Sequence, residues 1–155
     1  MSKLDYPIIM PIPHITIIVP SSDQQIINNN QDTTILIWTG KPIINTGGIL
    51  YDPIKGEFEI PISGIYEISI FISWDMNPLG EREICIHKIS KEKDIIIASD
   101  TRNSLNISIN ITLSTQHYFL ENDKVYVSVW QNSDSDIILS PGYQNGNKIL
   151  INKIY

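Results

Sequence analysis

Between Gly64 and Trp74 the chain reads GIYEISIFISW, with bulky apolar and small or polar residues changing places at nearly every step. A period of two fits only extended backbone with one face buried, because a helix would scatter both sets around its circumference. Tyr66, Ile68, Ile70, Ile72 and Trp74 are therefore expected on a core face, with Ile65, Glu67, Ser69, Phe71 and Ser73 opposite. The alternation recurs in REICIHKI, where Ile84 and Ile86 oppose Glu83, Cys85 and His87. It recurs again in NISINITL, where Ile107, Ile109, Ile111 and Leu113 oppose polar partners. In VYVSVWQ, Val125, Val127 and Val129 face the core, whereas Tyr126, Ser128 and Trp130 face away. Ala98 is the only alanine, so the best helix former is almost missing from an Ile-rich vocabulary suited to strands. HITIIV from His14, TTILIWT from Thr33 and GEFEIP from Gly56 add short strands, and Asn145-Gly146 supplies a hairpin signal before the last one. The expectation is an antiparallel all-β sandwich or barrel.

A length of 155 residues suits one domain with a sizeable core. Residues 1–13 form a Pro-rich lead-in, with the head domain expected at 14–155. Hydrophobic residues at 42% and charged residues at 18% argue against both disorder and a membrane protein. With Lys+Arg 11 against Asp+Glu 17, the net charge of -6 opposes attraction to phosphate backbones or anionic lipid. Neither nucleic acid nor membrane insertion is expected, and no apolar run approaches the roughly 20 residues of a spanning helix. Prolines interrupt the apolar N-terminal stretch, which has no basic start and no small-residue cleavage site, so no signal peptide is expected. Cys85 stands alone, which rules out an intrachain disulfide and a thiolate zinc site.

The order of particular residues narrows the choice among sandwiches. In INTGGILYDPIKGEFEIPISGIYEISI, the pair Tyr51 and Asp52 is followed by Gly56, Phe58, Pro61, Gly64 and Tyr66. NPLGEREICIHK then places Gly80, Arg82 and Ile86 in an Asn-x-x-Gly-x-Arg-x-x-x-Ile pattern. LENDKVYVSVWQ supplies Leu120, Asp123, Val125, Val127 and Val129, with Asn122 where a glycine is usual. Together these stretches resemble the globular head of the first complement component's q subunit in its bacterial and viral versions. The resemblance implies a tumour-necrosis-factor-like two-sheet jelly roll of about ten strands. It also implies a homotrimer used as a recognition head, binding a protein or glycan on a host or neighbouring surface. No collagen-like Gly-x-y tract occurs here. Phe71, Tyr126 and Trp130 are large groups on otherwise polar faces, and they are the candidate trimer contacts. An Ile- and Asn-rich, Ala-poor composition, as of an AT-rich genome, and the bacterial or viral look of NPLGER make a virion, phage tail or spore surface, or the outside of the cell, the expected setting. Purely structural decoration of a particle is the alternative, and a hydrolase the third.

No catalytic constellation stands out. His14, His87 and His117 lack metal-ligand spacing, and no Gly-x-Ser-x-Gly elbow exists. Cys85 and His87, two apart on one strand, are separated by about 7 Å at Cα, which is poor for proton transfer, so His87 is expected to be solvated. Glu57 and Glu59 share a face, as paired glycosidase acids do, but read as the solvated side of an edge strand. Asn132 to Asp136 offers oxygen ligands in a loop, and some heads of the resembled type hold calcium near their apex. The roughly six to eight oxygens calcium requires are not visible in the sequence. Asn106 and Asn110 begin glycosylation sequons that matter only in a glycosylating compartment, and their mid-strand placement makes them poor acceptors.

Overall fold

A computed structural model describes residues 15–21, 23–29, 33–103, 109–139 and 147–155. The lead-in, His14, Asn106, Ile107 and the Asn145-Gly146 hairpin signal lie outside the described residues. The strands are β1 (Thr16–Pro20), β2 (Gln25–Ile27), β3 (Thr34–Ile35), β4 (Ile44–Thr46), β5 (Leu50–Asp52), β6 (Glu57–Glu59) and β7 (Gly64–Trp74). They continue with β8 (Glu81–Ser90), β9 (Lys93–Asn103), β10 (Ile109–Phe119), β11 (Lys124–Gln131), β12 (Ile137–Leu139) and β13 (Lys148–Lys153). No helix among the described residues is long and apolar enough to cross a membrane.

Two antiparallel sheets result. In the first, β10 pairs along one edge of β7, while β13 and the end of β12 share its other edge; β1 and β4 follow β13, and β2 follows β12. The second runs β5-β6-β11-β8-β9, with β3 beside β11 beyond the end of β6. Thirteen strands among the described residues exceed the expected ten because several are stubs of two or three residues. The segment from Thr33 to Thr39 shows why. It pairs only at Thr34 and Ile35, after which Leu36 and Trp38 stay buried while the Trp38 N–H donates to the Tyr51 hydroxyl, 2.6 Å away, outside any ladder.

The alternation of β7 is realised residue by residue: Tyr66, Ile68, Ile70, Ile72 and Trp74 are buried, and their neighbours are half-buried on the outer side. They meet Phe58, Ile84, Ile86, Val125, Val127 and Val129 from the second sheet across one hydrophobic core. Truncating one of these isoleucines to alanine costs about 2–5 kcal/mol, because packed neighbours relax only partly into the space. In β9 the register shifts opposite Ile86/His87, leaving Ile97 as an extra residue, so that Ile96 opposes His87 and Ala98 opposes Ile86.

Candidate recognition and assembly surfaces

The outer face of the first sheet is built by the polar half of each alternating strand. Register aligns Ile44, Ile18, Leu150, Ser69 and Ser114 in one row across five strands, and Pro20, Lys148, Phe71 and Thr112 in the next. Ile18, Phe71 and Leu150 line a shallow hollow of about 280 Å³, floored by Ile70 and bordered by Ser69, Thr112 and Lys148. The Lys148 ammonium lies 5.9 Å from the centroid of the Phe71 ring, and the Ser69 and Ser114 hydroxyls are 2.6 Å apart. Asn110 stands on this face beside Ser73 and is exposed. Few charges interrupt it: Lys148 and, in the row of Thr16, Asn152 and Gln116, Glu67.

Tyr126 and Trp130 project from β11 on the outer face of the second sheet, so Phe71 and these two residues point to opposite sides of the sandwich. Tyr126 is held on its own sheet. Its ring stacks on His87 at 4.2 Å, and its hydroxyl donates to Asp94 Oδ2 at 2.5 Å. Burial, then this carboxylate, push the Tyr126 pKa upward. His87 Nδ1 lies 3.3 Å from Asp94 Oδ1 and Nε2 lies 2.8 Å from Ser128 Oγ. The imidazole expected in solvent is thus mostly covered and bonded at both nitrogens. Cys85, also expected on the wet face, is buried, and burial together with Glu83 pushes its thiol up to about 11.

Ser128, His87 and Asp94 are joined in the order of a nucleophile, base and orienting acid. Two features oppose that chemistry. Ser128 is only 2% exposed, and its backbone lies mid-strand between the partners β3 and β8, where amides serve the ladder instead of an oxyanion. Glu57 and Glu59 are not on an edge either. β6 lies between β5 and β11, and Glu57 accepts a 2.8 Å bond from Lys124, whose ammonium pKa is raised by that bond and by neighbouring acids.

At the end of the sandwich where β7 leads into β8, the loop 75–80 is tied down from beneath. Arg82 is 0% exposed; Nη1 donates to the carbonyls of Leu79 and Glu81 at 2.9 and 3.1 Å, and Nη2 to that of Asn77 at 3.2 Å. Its guanidinium carbon sits 5.9 Å from the centroid of Trp74. Asn77 Oδ1 accepts from the Leu79 N–H, and its Nδ2 donates to Ser135 Oγ across the apex at 3.1 Å. Gly80 has φ of 74°, and a Cβ there would meet Asn132 Oδ1 at 2.5 Å. The Asn77, Gly80, Arg82 spacing therefore builds one braced loop.

No family model matches the chain. Over 68% of its length it is 31% identical to an uncharacterized protein of Acanthamoeba polyphaga mimivirus, and the match spans 46% of that protein, less than half its length. Among solved structures, murine APRIL superposes with a TM-score of 0.69 at 13% identity, covering 91% of this chain and 99% of that one. Eiger TNF from S. frugiperda gives 0.73 at 10% identity, covering 93% and 94%. The globular domain of zebrafish complement 1qA protein gives 0.62 at 13%, covering 93% and 98%. The fold is a tumour-necrosis-factor-like jelly roll.

Within this jelly roll the motif positions acquire physical roles. Tyr51 stacks on Phe58 at 4.4 Å, and Asp52 Oδ1 accepts from the N–H groups of Ile54 and Lys55. These bonds hold the Asp52 carboxyl below its ordinary range. Gly56, with φ of 71°, closes that turn where a Cβ would strike the Leu36 carbonyl at 2.5 Å. Pro61 and Gly64 lead into Tyr66, whose hydroxyl donates to the Ile62 carbonyl at 2.9 Å; burial lifts its pKa to about 12. Asn122 takes the left-handed conformation with φ of 68°, which places Asp123 to accept from the Leu120 N–H at 2.8 Å. Val125 and Val127 are core.

The loop from Asn132 to Asp136 is organised by Gln131, the last position of the LENDKVYVSVWQ stretch that begins at Leu120. Its Oε1 accepts from the Ser133 N–H and Oγ, while Nε2 donates to the carbonyls of Ile27 and Ser135. Asp136 accepts from the Asn29 N–H. No group of three or more His, Cys, Asp or Glu placed to hold a metal ion occurs among the described residues.

Proposed function

We propose that this chain is a non-enzymatic recognition head that closes into a homotrimer and binds a protein or glycan through its loops on the surface of a virion, phage tail or spore. One observation carries the reading: the nearly charge-free outer face of the first sheet, with its apolar hollow at Phe71. Such a face on a jelly roll suits burial against another copy. A closed ring needs two different patches on each copy, inclined to one another, whereas patches on opposite faces stack copies into an open column. The flank where β9 and β10 lie together is inclined to this face and suits the second patch better than the opposite face bearing Tyr126 and Trp130.

The resemblance to complement-like heads, which generally assemble as trimers, supports the same state. In this reading residues 14–155 form the head and residues 1–13 its lead-in. The mimivirus relative supports a viral setting among those proposed. Uniformly charged apex loops would favour mere decoration; exposed Met76 and Leu79 favour recognition. Sedimentation equilibrium on the full chain, beside a glycan array, tests the reading. A mass of three chains is expected, and a single-chain mass at every concentration would overturn the assembly.

A further inference from the structure

A guanidinium removed from water without a counter-charge is expensive to keep. Arg82 has no carboxylate partner among the described residues, its Nε has no hydrogen bond at all, and its remaining donors serve carbonyls of a single loop. A mere connection does not need this. The β8–β9 turn joins its strands with only Lys91 and Glu92, and the buried charges near it, Lys88 and Asp123, are paired with each other. What the clamp fixes is the position of two exposed apolar side chains, Met76 at 67% and Leu79 at 49%, flanking an exposed Pro78. Apolar groups on a loop already held in one conformation lose little freedom when they dock, so more of their burial appears as affinity.

The surroundings define the partner. Glu81, Asp134 and Asp136 are exposed, and the Asn77 to Ser135 bond binds their two loops together. Arg102, on the strand beside Arg82, is committed to Asp100 at 2.7 Å. Lys88, Lys91, Lys93, Lys124 and Lys153 stand at the opposite end of the sandwich, while Lys148 and Lys41 lie toward the first sheet's side of this end, with Lys148 over the Phe71 ring. An apolar centre inside an acidic rim has the layout of a protein-binding patch.

We infer that the apex loop inserts Met76 and Leu79 into an apolar pocket of a protein whose rim is rich in lysine and arginine. The inference rests on the recognition-head reading and names its site and the class of its partner.

Panning the immobilised full chain against phage-displayed random peptides tests it. Enriched peptides are expected to combine Leu, Phe or Trp with Lys or Arg. Replacing Met76→Ser and Leu79→Ser together is expected to weaken the selected peptide about tenfold or more, with the melting temperature unchanged. Glu81→Gln with Asp134→Asn should flatten the loss of peptide affinity with added salt. Arg82→Lys keeps the charge but cannot serve three carbonyls from a planar fork, and should weaken the peptide although Met76 and Leu79 remain. Enriched peptides without basic residues, or equal binding to the Met76 and Leu79 double variant, would overturn the inference. A trimer that selects no apex peptide leaves the assembly reading standing and sinks this one; a monomer that selects them does the reverse.

Discussion

Lys88 Nζ lies 3.2 Å from Asp123 Oδ2, both side chains are largely buried, and the pair ties the far end of β8 to the turn between β10 and β11. The same ammonium donates to the Tyr118 carbonyl at 2.8 Å and faces the Phe119 ring. Burial alone would raise the Asp123 carboxyl, but hydrogen bonds from Ser90, the Leu120 N–H and Lys88 outweigh it and hold the group below 3.8. Nearby, burial reinforced by Lys88 and partly opposed by Asp123 holds the His117 imidazole below 6.5.

These two shifts predict a stepped acid response. Below about pH 6.5 the unfolded chain takes up a proton that folded His117 resists, so stability falls as pH drops through that value. The Asp123 contribution is present above 3.8 and is lost as pH falls below it. Melting temperatures measured from pH 8 to pH 3 should decline in both ranges, and His117→Gln should remove the upper decline alone. An unchanged upper decline in that variant would refute the assignment.

Phe71→Glu is expected to convert the proposed trimer to single chains, because it places a charge in the apolar hollow that a neighbour would cover. Trp130→Glu, on the opposite face, should leave the mass unchanged. Sedimentation velocity reads both, and dissociation by the Trp130 variant alone would relocate the interface.

Arg82→Ala strips a charged donor from three loop carbonyls and leaves a cavity against Trp74, so a loss of about 3 kcal/mol or more is expected in urea unfolding. Gly80→Ala should cost about 1–3 kcal/mol, through its positive φ and the backbone of Asn132 that its Cβ would meet. Amide exchange at residues 77–81 should quicken in both variants. A loop as protected as before would mean that the clamp is redundant.

A fluorophosphonate probe should leave Ser128 unlabelled, and Ellman's reagent should modify Cys85 only after unfolding, since both side chains are buried and the thiol titrates near 11. Labelled Ser128 in the folded chain would revive the hydrolase alternative.

The alternation in β7 and β11 made their two faces legible, because each side chain's direction follows from its place in a period of two. Which sheet each strand joined was not legible. Phe71 and Trp130 look equivalent in the sequence, yet long-range pairing sends β7 and β11 to different sheets. The alignment of His87, Asp94 and Ser128 came from three strands, through the two-residue turn that sets Asp94 opposite Ile89 and the long-range pairing of β8 with β11, and the alternation marks neither. Arg82 was marked by its spacing from Asn77 and Gly80, but its burial was hidden because arginine normally signals surface. Glu57 was misplaced because β5, only three residues long, converts an apparent rim into an interior strand.

Asn110 carries the first position of an Asn-Ile-Thr sequon on the very face that Phe71 occupies. An oligosaccharide there would stand as a wedge between neighbours, so the route of manufacture becomes a variable of the quaternary state. In the proposed trimer, sugar accepted at this mid-strand site in a secretory system would hold copies apart, and material made in a bacterial cytosol would carry none.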